Sequence, residues 1–305
     1  MGKNDIVFMG TPDFAAVSLQ ALYDAGFSVT AVFTQPDRPK NRGHRLQACP
    51  VKILAEAHGT PVLQPGSFSD GEAAAELARL APSVIAVVAY GKLLPPEVLK
   101  IPALGCINIH GSLLPRYRGA APIQWTVLNG DPTAGVSAMF MSERLDAGDV
   151  IDSISTDVLP GETAGELFDR LAPLGGELLV RTVGNLLDGT ASRTPQDEEQ
   201  ATYAPPLTRA MSPVDWNQPV EQILCRIRGL HPWPCATAEW NGVCYKIHKA
   251  EAAGSAGTAE PGTVLQADGD GMTVAAGDGA VSILEIQAPG GKRMRAADYF
   301  RGHTI

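Results

Sequence analysis

Residues 105–122 read GCINIHGSLLPRYRGAAP, and the alternation in their first half decides the fold. Ile107 and Ile109 alternate with Asn108 and His110, so a strand here places two apolar side chains on one face and two polar ones on the other. Asn108 and His110 then sit roughly 6 to 7 Å apart on the same face. A strand buried inside a parallel sheet reads as a nearly unbroken apolar run, so polar side chains belong near its carboxyl end, where a crevice opens. Gly111 and Ser112 stop the strand at that point. Two readings of the pair stand on these residues: a satisfied structural Asn beside a core His, or a polar pair facing a crevice. The loop that follows, with Arg116 and Arg118 between Pro115 and Gly119, favours the crevice.

Working outward, residues 6–9 form an apolar strand and Thr11-Pro12-Asp13 reads as N-cap, first-turn proline and first-turn acid of a helix ending at Gly26. Residues 29–33 supply the next strand, which makes the opening βαβ. Neither GxGxxG nor GxxxxGK[ST] is present, so no dinucleotide or nucleoside triphosphate site is indicated. Residues 35–50 leave regular structure at Pro36, Pro39 and Gly43, and carry Arg38, Lys40, Arg42, His44 and Arg45. So long a loop in a compact domain is either a solvated connection or a functional arm that touches phosphate.

Helices are expected at 51–58 and 72–80, with a short strand at 62–63. SVIAVVA at 83–89 is a fully buried parallel strand by composition, followed by a loop through Tyr90 and Leu94. A helix through Ile123 and Leu128, strands at 136–141 and 150–154, and two amphipathic helices within 162–187 complete an α/β domain. Between the last two strands, Asp146 and Asp149 flank Gly148 in a turn, and an Asp-Gly turn is ordinarily only a turn.

Residues 190–208 shift to Thr, Pro, Gln, Asp and Glu and read as a linker. Beyond them a helix at 219–229 carries Arg226 and Arg228. Five short strands broken by glycine turns then suggest a small barrel of the oligonucleotide-binding type, closed by a helix at 296–302. The expected architecture is therefore a Rossmann-like, doubly wound parallel-sheet domain at 1–189, a linker at 190–208, and an OB-like β-barrel domain at 209–305.

Composition narrows the chemistry. The 305 residues are 45% hydrophobic and 19% charged, no apolar run is long enough to span a bilayer, and the first residues lack a signal-peptide pattern, so a cytoplasmic protein is expected. Five cysteines without a CxxC pair argue for reduced thiols. The net charge of -9 argues against a bulk electrostatic nucleic-acid binder, yet residues 292–305 hold Lys292, Arg293, Arg295 and Arg301 against Asp298 alone. Such patches can meet a polyanion because only charges within about a Debye length are strongly felt. The scattered histidines show no metal-ligand spacing, and no GxSxG elbow surrounds Ser112. What remains is an amide, an imidazole and a carboxylate, a set suited to acyl transfer without a covalent intermediate.

The runs NIHGSLLPRYRG at 108–119 and LDAGD at 145–149 resemble the folate-dependent formyltransferases. The resemblance implies catalytic Asn108, His110 and Asp146, a folate lying along Ser112, Leu113, Leu114 and Pro115, and 10-formyltetrahydrofolate as co-substrate with no metal. The runs GTPDF at 10–14, TQPDRP at 34–39, GAAPIQ at 119–124, Asp215-Trp216 and Pro232-Trp233-Pro234 are similar to those members that formylate methionine esterified to initiator tRNA. That likeness implies initiator methionyl-tRNA as partner and tRNA contacts at Arg38, Arg42, Arg226, Arg228, Lys292, Arg293, Arg295 and Arg301, in a monomer. A relative acting on a small amine, such as glycinamide ribonucleotide or an amino sugar, would share the trio. A non-catalytic RNA-binding protein would leave the trio unexplained.

Overall fold

The computed structural model describes residues 5–40, 45–69 and 71–305, with backbone alone at 38–40, 45 and 46. In chain order the first elements are β1 (Ile6–Gly10), α1 (Asp13–Asp24), β2 (Val29–Phe33), β3 (Arg38–Lys40), β4 (Arg45–Gln47), α2 (Pro50–Ala57), β5 (Val62–Leu63), α3 (Glu72–Leu80), β6 (Val84–Val88) and α4 (Pro96–Leu99). They are followed by β7 (Cys106–His110), β8 (Arg118–Gly119), α5 (Pro122–Leu128), β9 (Thr133–Phe140), β10 (Val150–Asp157), α6 (Ala164–Leu187) and β11 (Tyr203–Ala204). The remainder is α7 (Val220–Gly229), β12 (Ala236–Trp240), β13 (Val243–Ala252), β14 (Val264–Asp268), β15 (Gly271–Ala275), β16 (Ala280–Gln287), β17 (Met294–Arg295) and α8 (Ala296–Phe300). Contacts divide the chain into two compact units, Met1–Pro122 with Gly135–Thr156 and Phe168–Tyr203, and Ile123–Ala134 with Asp157–Leu167 and Ala204–Ile305.

The first unit is built on a seven-stranded sheet, among the described residues, in the order β10-β9-β7-β6-β1-β2-β5. Every residue of β1 and β6 is buried, as continuous apolar runs in a sheet covered on both faces require. Val7, Met9, Ile85, Val87 and Cys106 pack with Leu77 of α3 and Val98 of α4. Burial pushes the Cys106 thiol up to about 12, as befits an inert core group. On the other face α6 crosses α1 closely: a Cβ on Gly175 would lie 3.1 Å from the Phe14 ring, and one on Gly176 would lie 3.1 Å from Ala21 Cβ.

Four expectations need correction. The sheet is not purely parallel, because β7 runs parallel to β6 but antiparallel to β9, with Asn108 opposite Met139 and His110 opposite Ser137. The reason is visible in β10, whose alternating exposure marks it as an edge strand with one uncovered face, a role open to antiparallel pairing and closed to a buried parallel strand. Residues 162–187 are not two helices. Pro173, Gly175 and Gly176 read as a break, but α6 runs through them because the two glycines admit α1. The arm begins and ends as a short hairpin, β3 paired with β4, rather than as irregular chain. Locally, Thr11 does not cap α1; Pro12 takes the cap position, and Thr11 Oγ1 donates to the Tyr90 carbonyl 3.4 Å away.

The second unit holds an antiparallel sheet in the order β12-β13-β16-β15-β14, with β17 paired to β16. Ile223 and Ile227 of α7, Trp240, Tyr245, Ile247, Val274, Val281 and Ile283, and Phe300 of α8 form its core. Among the described residues no helix is long and apolar enough to cross a membrane.

Candidate active site

Strand β7 delivers Asn108 and His110 to one face of the sheet at its carboxyl end, and the loop after it closes around the imidazole. His110 is 6% exposed, and its Nε2 lies 2.8 Å from the Tyr117 carbonyl oxygen. A carbonyl only accepts, so Nε2 carries the hydrogen and Nδ1 is the nitrogen left for proton exchange. Nδ1 in turn lies 3.8 Å from Asp146 Oδ2. That oxygen accepts a hydrogen bond from Gly119 N at 2.8 Å, so one carboxylate faces the ring and holds the loop. Asn108 is half-buried, and none of the hydrogen bonds among the described residues uses its carboxamide.

Two residues that touch this arrangement adopt backbone conformations that non-glycine residues rarely take, Tyr117 at φ 60° and Asp146 at φ 49°. Such strain persists only where surrounding structure over-determines it. The loop is tightly determined: Ser112 Oγ donates to Arg116 O (2.6 Å), Ser137 Oγ donates to Ser112 O (2.7 Å), and Leu114 N donates to Ser137 Oγ (3.1 Å). On the other side, Gly148 fits only as glycine, because a Cβ there would lie 1.8 Å from the Phe140 carbonyl oxygen. Replacing Gly148 by Ala is expected to lower unfolding stability by about 1–3 kcal/mol, the usual cost of forcing atoms into a packed site, and to reduce turnover by displacing Asp146. A urea titration showing an unchanged midpoint would refute this.

The sequence expectations therefore separate. Asn108, His110 and Asp146 come together. Leu113, Leu114 and Pro115 are half-buried, while Ser112 is buried with its hydroxyl bound to the chain itself. At the end of β6, the Tyr90 hydroxyl is buried without a partner among the described residues, and burial pushes it up to about 12. Gln35 Nε2 donates to the Tyr90 and Gly91 carbonyls at 3.1 Å each. The base of the arm is fixed by Lys52 Nζ donating to Asp37 Oδ2 (2.7 Å) and by Gln64 Nε2 donating to Asp37 Oδ1 (2.8 Å). Arg38 opens β3, its side chain is not described, and Arg42 lies outside the described residues.

The cations of the second unit differ among themselves. Arg226 donates to the Pro213 and Met211 carbonyls, Arg228 pairs with Glu221 at 2.9 Å, Arg293 pairs with Glu285, and Arg301 pairs with Asp298 at 3.2 Å. Lys292 and Arg295 are exposed without such partners among the described residues. Among the described residues no cluster of three or more His, Cys, Asp or Glu is arranged to hold a metal ion.

Sequence models of two domain families match: formyl transferase over residues 3–183, and formyl transferase, C-terminal domain, over residues 206–304. The chain belongs to the formyl transferase family. It is 46% identical over 300 residues to the methionyl-tRNA formyltransferase of Magnetococcus marinus, covering 98% of this chain and 96% of that protein. It is 44% identical over 305 residues to that of Myxococcus xanthus, covering 100% and 97%. In fold it is similar to an N-formyltransferase from Helicobacter canadensis, with TM-score 0.69 and 18% identity over 91% of this chain and 98% of the other. The family expected from residues 108–119 and 145–149 is thus the family found, and this formyltransferase is an enzyme. The residues the sequence reading missed are Gln196, Glu198 and Thr202, whose side chains bond Arg118 and Tyr117 from 78 or more positions away. No local pattern announces a contact of that span.

Proposed function

We propose that this enzyme transfers the formyl group of 10-formyltetrahydrofolate to the α-amine of methionine on initiator methionyl-tRNA, for translation initiation, with Asn108, His110 and Asp146 as its catalytic groups. The observation that carries the reading is the placement of His110 Nδ1 beside Asp146 at a strand end where the Asn108 carboxamide stays uncommitted. The bound folate supplies an activated one-carbon acyl group. Leu113, Leu114, Pro115 and the backbone around Ser112 wall its side of the crevice, and the unpartnered Tyr90 hydroxyl fits a polar ligand at the neighbouring strand end. Asn108 donates to the oxygen on which negative charge develops. As the amine nitrogen bonds to the formyl carbon, His110 Nδ1 accepts the proton it loses, while Nε2 stays bound to Tyr117 O; a proton returns from Nδ1 to the folate nitrogen as its bond to the formyl carbon breaks. Asp146 Oδ2 balances the charge the ring then carries. Formyl transfer to charged initiator tRNA, with free methionine as the control acceptor, tests this function; equal use of both would overturn it.

The division of labour follows the chain. Residues 1–189 form the catalytic domain, 190–208 connect, and 209–305 form an OB-like barrel that binds tRNA. The enzyme acts as a monomer in the cytoplasm, where charged initiator tRNA is used. Arg38 and Arg42 reach the acceptor end, and the field of Arg226, Arg228, Lys292, Arg293, Arg295 and Arg301 holds phosphates. Their effects should differ. Arg42→Ala is expected to raise KM for initiator tRNA and narrow its advantage over elongator methionyl-tRNA, read by competition in one reaction. Lys292→Ala or Arg295→Ala should weaken all tRNAs alike and flatten the dependence of log affinity on log salt by about one unit or less per charge. Arg226→Ala should act mainly on stability, because its guanidinium braces two backbone carbonyls. A uniform response of Arg42→Ala across both tRNAs would reduce the arm to a phosphate contact.

A further inference from the structure

His110 and Asp146 are not bonded to each other. At 3.8 Å they face one another, each held by its own loop, so their separation depends on what fixes loop 115–119 against loop 144–148. The hydrogen bond from Gly119 N to Asp146 Oδ2 joins these loops directly, and a third segment ties them again. Gln196 Oε1 accepts from Arg118 Nε (3.0 Å) and Nη2 (2.9 Å), and its Nε2 donates to the carbonyls of Asp146 (2.8 Å) and Gly148 (2.7 Å). Glu198 accepts from Arg118 Nη1 and Nη2 at 3.1 Å each, and from Arg144 Nη2 at 2.6 Å. Thr202 completes the seam, its Oγ1 and O accepting from Tyr117 N and Arg118 N at 2.8 Å each. The Arg118 side chain is 0% exposed, so these acceptors are the water it has lost.

We propose that residues 196–202, whose composition reads as a linker, form a strap across both loops in which Gln196 and Glu198 are positioning residues that set the separation of His110 and Asp146. The inference rests on the catalytic trio proposed above. Gln196 is the sharper member, since a single carboxamide touches the Arg118 guanidinium with one end and the Asp146 backbone with the other. The strained φ of Tyr117 and Asp146 requires such an outside hold. Arg118 and Arg144 hold the Glu198 carboxyl at about 2, well below its ordinary 4.5. Its contribution is therefore fully present above pH 4.5 and is lost only as pH falls toward 2.

The test uses the full-length enzyme. Gln196→Ala is expected to lower kcat about 10- to 100-fold, with KM for folate and for tRNA each within about two-fold, and without shifting the pH profile between pH 5 and 9. Glu198→Gln, which keeps an acceptor on Arg118, should lose less than Glu198→Ala. In a His110→Ala background, Gln196→Ala should add under two-fold, because there is no longer an imidazole to place. Wild-type kcat in Gln196→Ala, a loss confined to KM, or the same loss with and without His110 would each overturn the strap. A His110→Ala enzyme with normal turnover would instead sink the trio, and these two failures are separate measurements.

Discussion

His110→Ala is expected to lower kcat for formyl transfer by about two to four orders of magnitude, the usual contribution of a positioned acid-base group, with the protein still folded. The size follows from geometry. Nε2 is committed to the Tyr117 carbonyl at 2.8 Å, so the ring cannot turn and Nδ1 is presented in one direction. The ring is 6% exposed, so bulk water reaches Nδ1 poorly. His110→Gln, whose amide nitrogen reaches the Nε2 position, could still donate to Tyr117 O, preserving the loop while removing the basic nitrogen, and should be as inactive as His110→Ala. Asn108→Ala should cost about 10²- to 10³-fold in kcat, as expected for the loss of one oxyanion donor. Steady-state kinetics with both substrates saturating, alongside thermal unfolding, separates these effects from misfolding. Near-normal turnover in either alanine variant would refute the mechanism.

The strand pattern was legible wherever burial alone dictates it. β1 and β6 emerge from apolar runs at residues 6–9 and 83–89, because a sheet covered on both faces tolerates little else, and β7 emerges from the alternation at residues 107–110. The position of Asn108 and His110 at a strand end was equally plain. Direction was less so, since nothing in residues 136–141 says whether β9 runs with or against β7; only the alternation of β10 hints at it. Helix α6 shows tertiary packing outweighing local propensity: Pro173 and two glycines predict a break, and α1 supplies the reason the glycines are there. Arg118 looked like one more loop cation. Its burial depends on Gln196 and Glu198, and two side chains in an acidic, proline-bearing stretch offer no periodicity from which to read a partner.

Asp146 was the least legible of the trio, because an Asp-Gly turn needs no function, and its substitution gives the most discriminating result. Oδ2 alone serves two neighbours, accepting from Gly119 N at 2.8 Å and facing His110 Nδ1 at 3.8 Å. In Asp146→Asn, the carboxamide oxygen should take the Oδ2 position, since the opposite orientation would oppose its N–H₂ to the Gly119 N–H. The loop tether then survives and only the negative charge disappears. Asparagine also tolerates the left-handed backbone at φ 49°, so the turn should keep its shape. Turnover is therefore expected to fall about 10²-fold or more, as for other groups that stabilise a charged catalytic imidazole, with the unfolding midpoint unchanged. Asp146→Ala loses both the charge and the tether and should fall further, with some loss of stability. The pattern across the two variants decides the role. If Asp146→Asn kept wild-type turnover while Asp146→Ala lost it, the carboxylate would serve only to hold Gly119; if both kept it, Asp146 would be a turn residue and His110 would act without a charged neighbour.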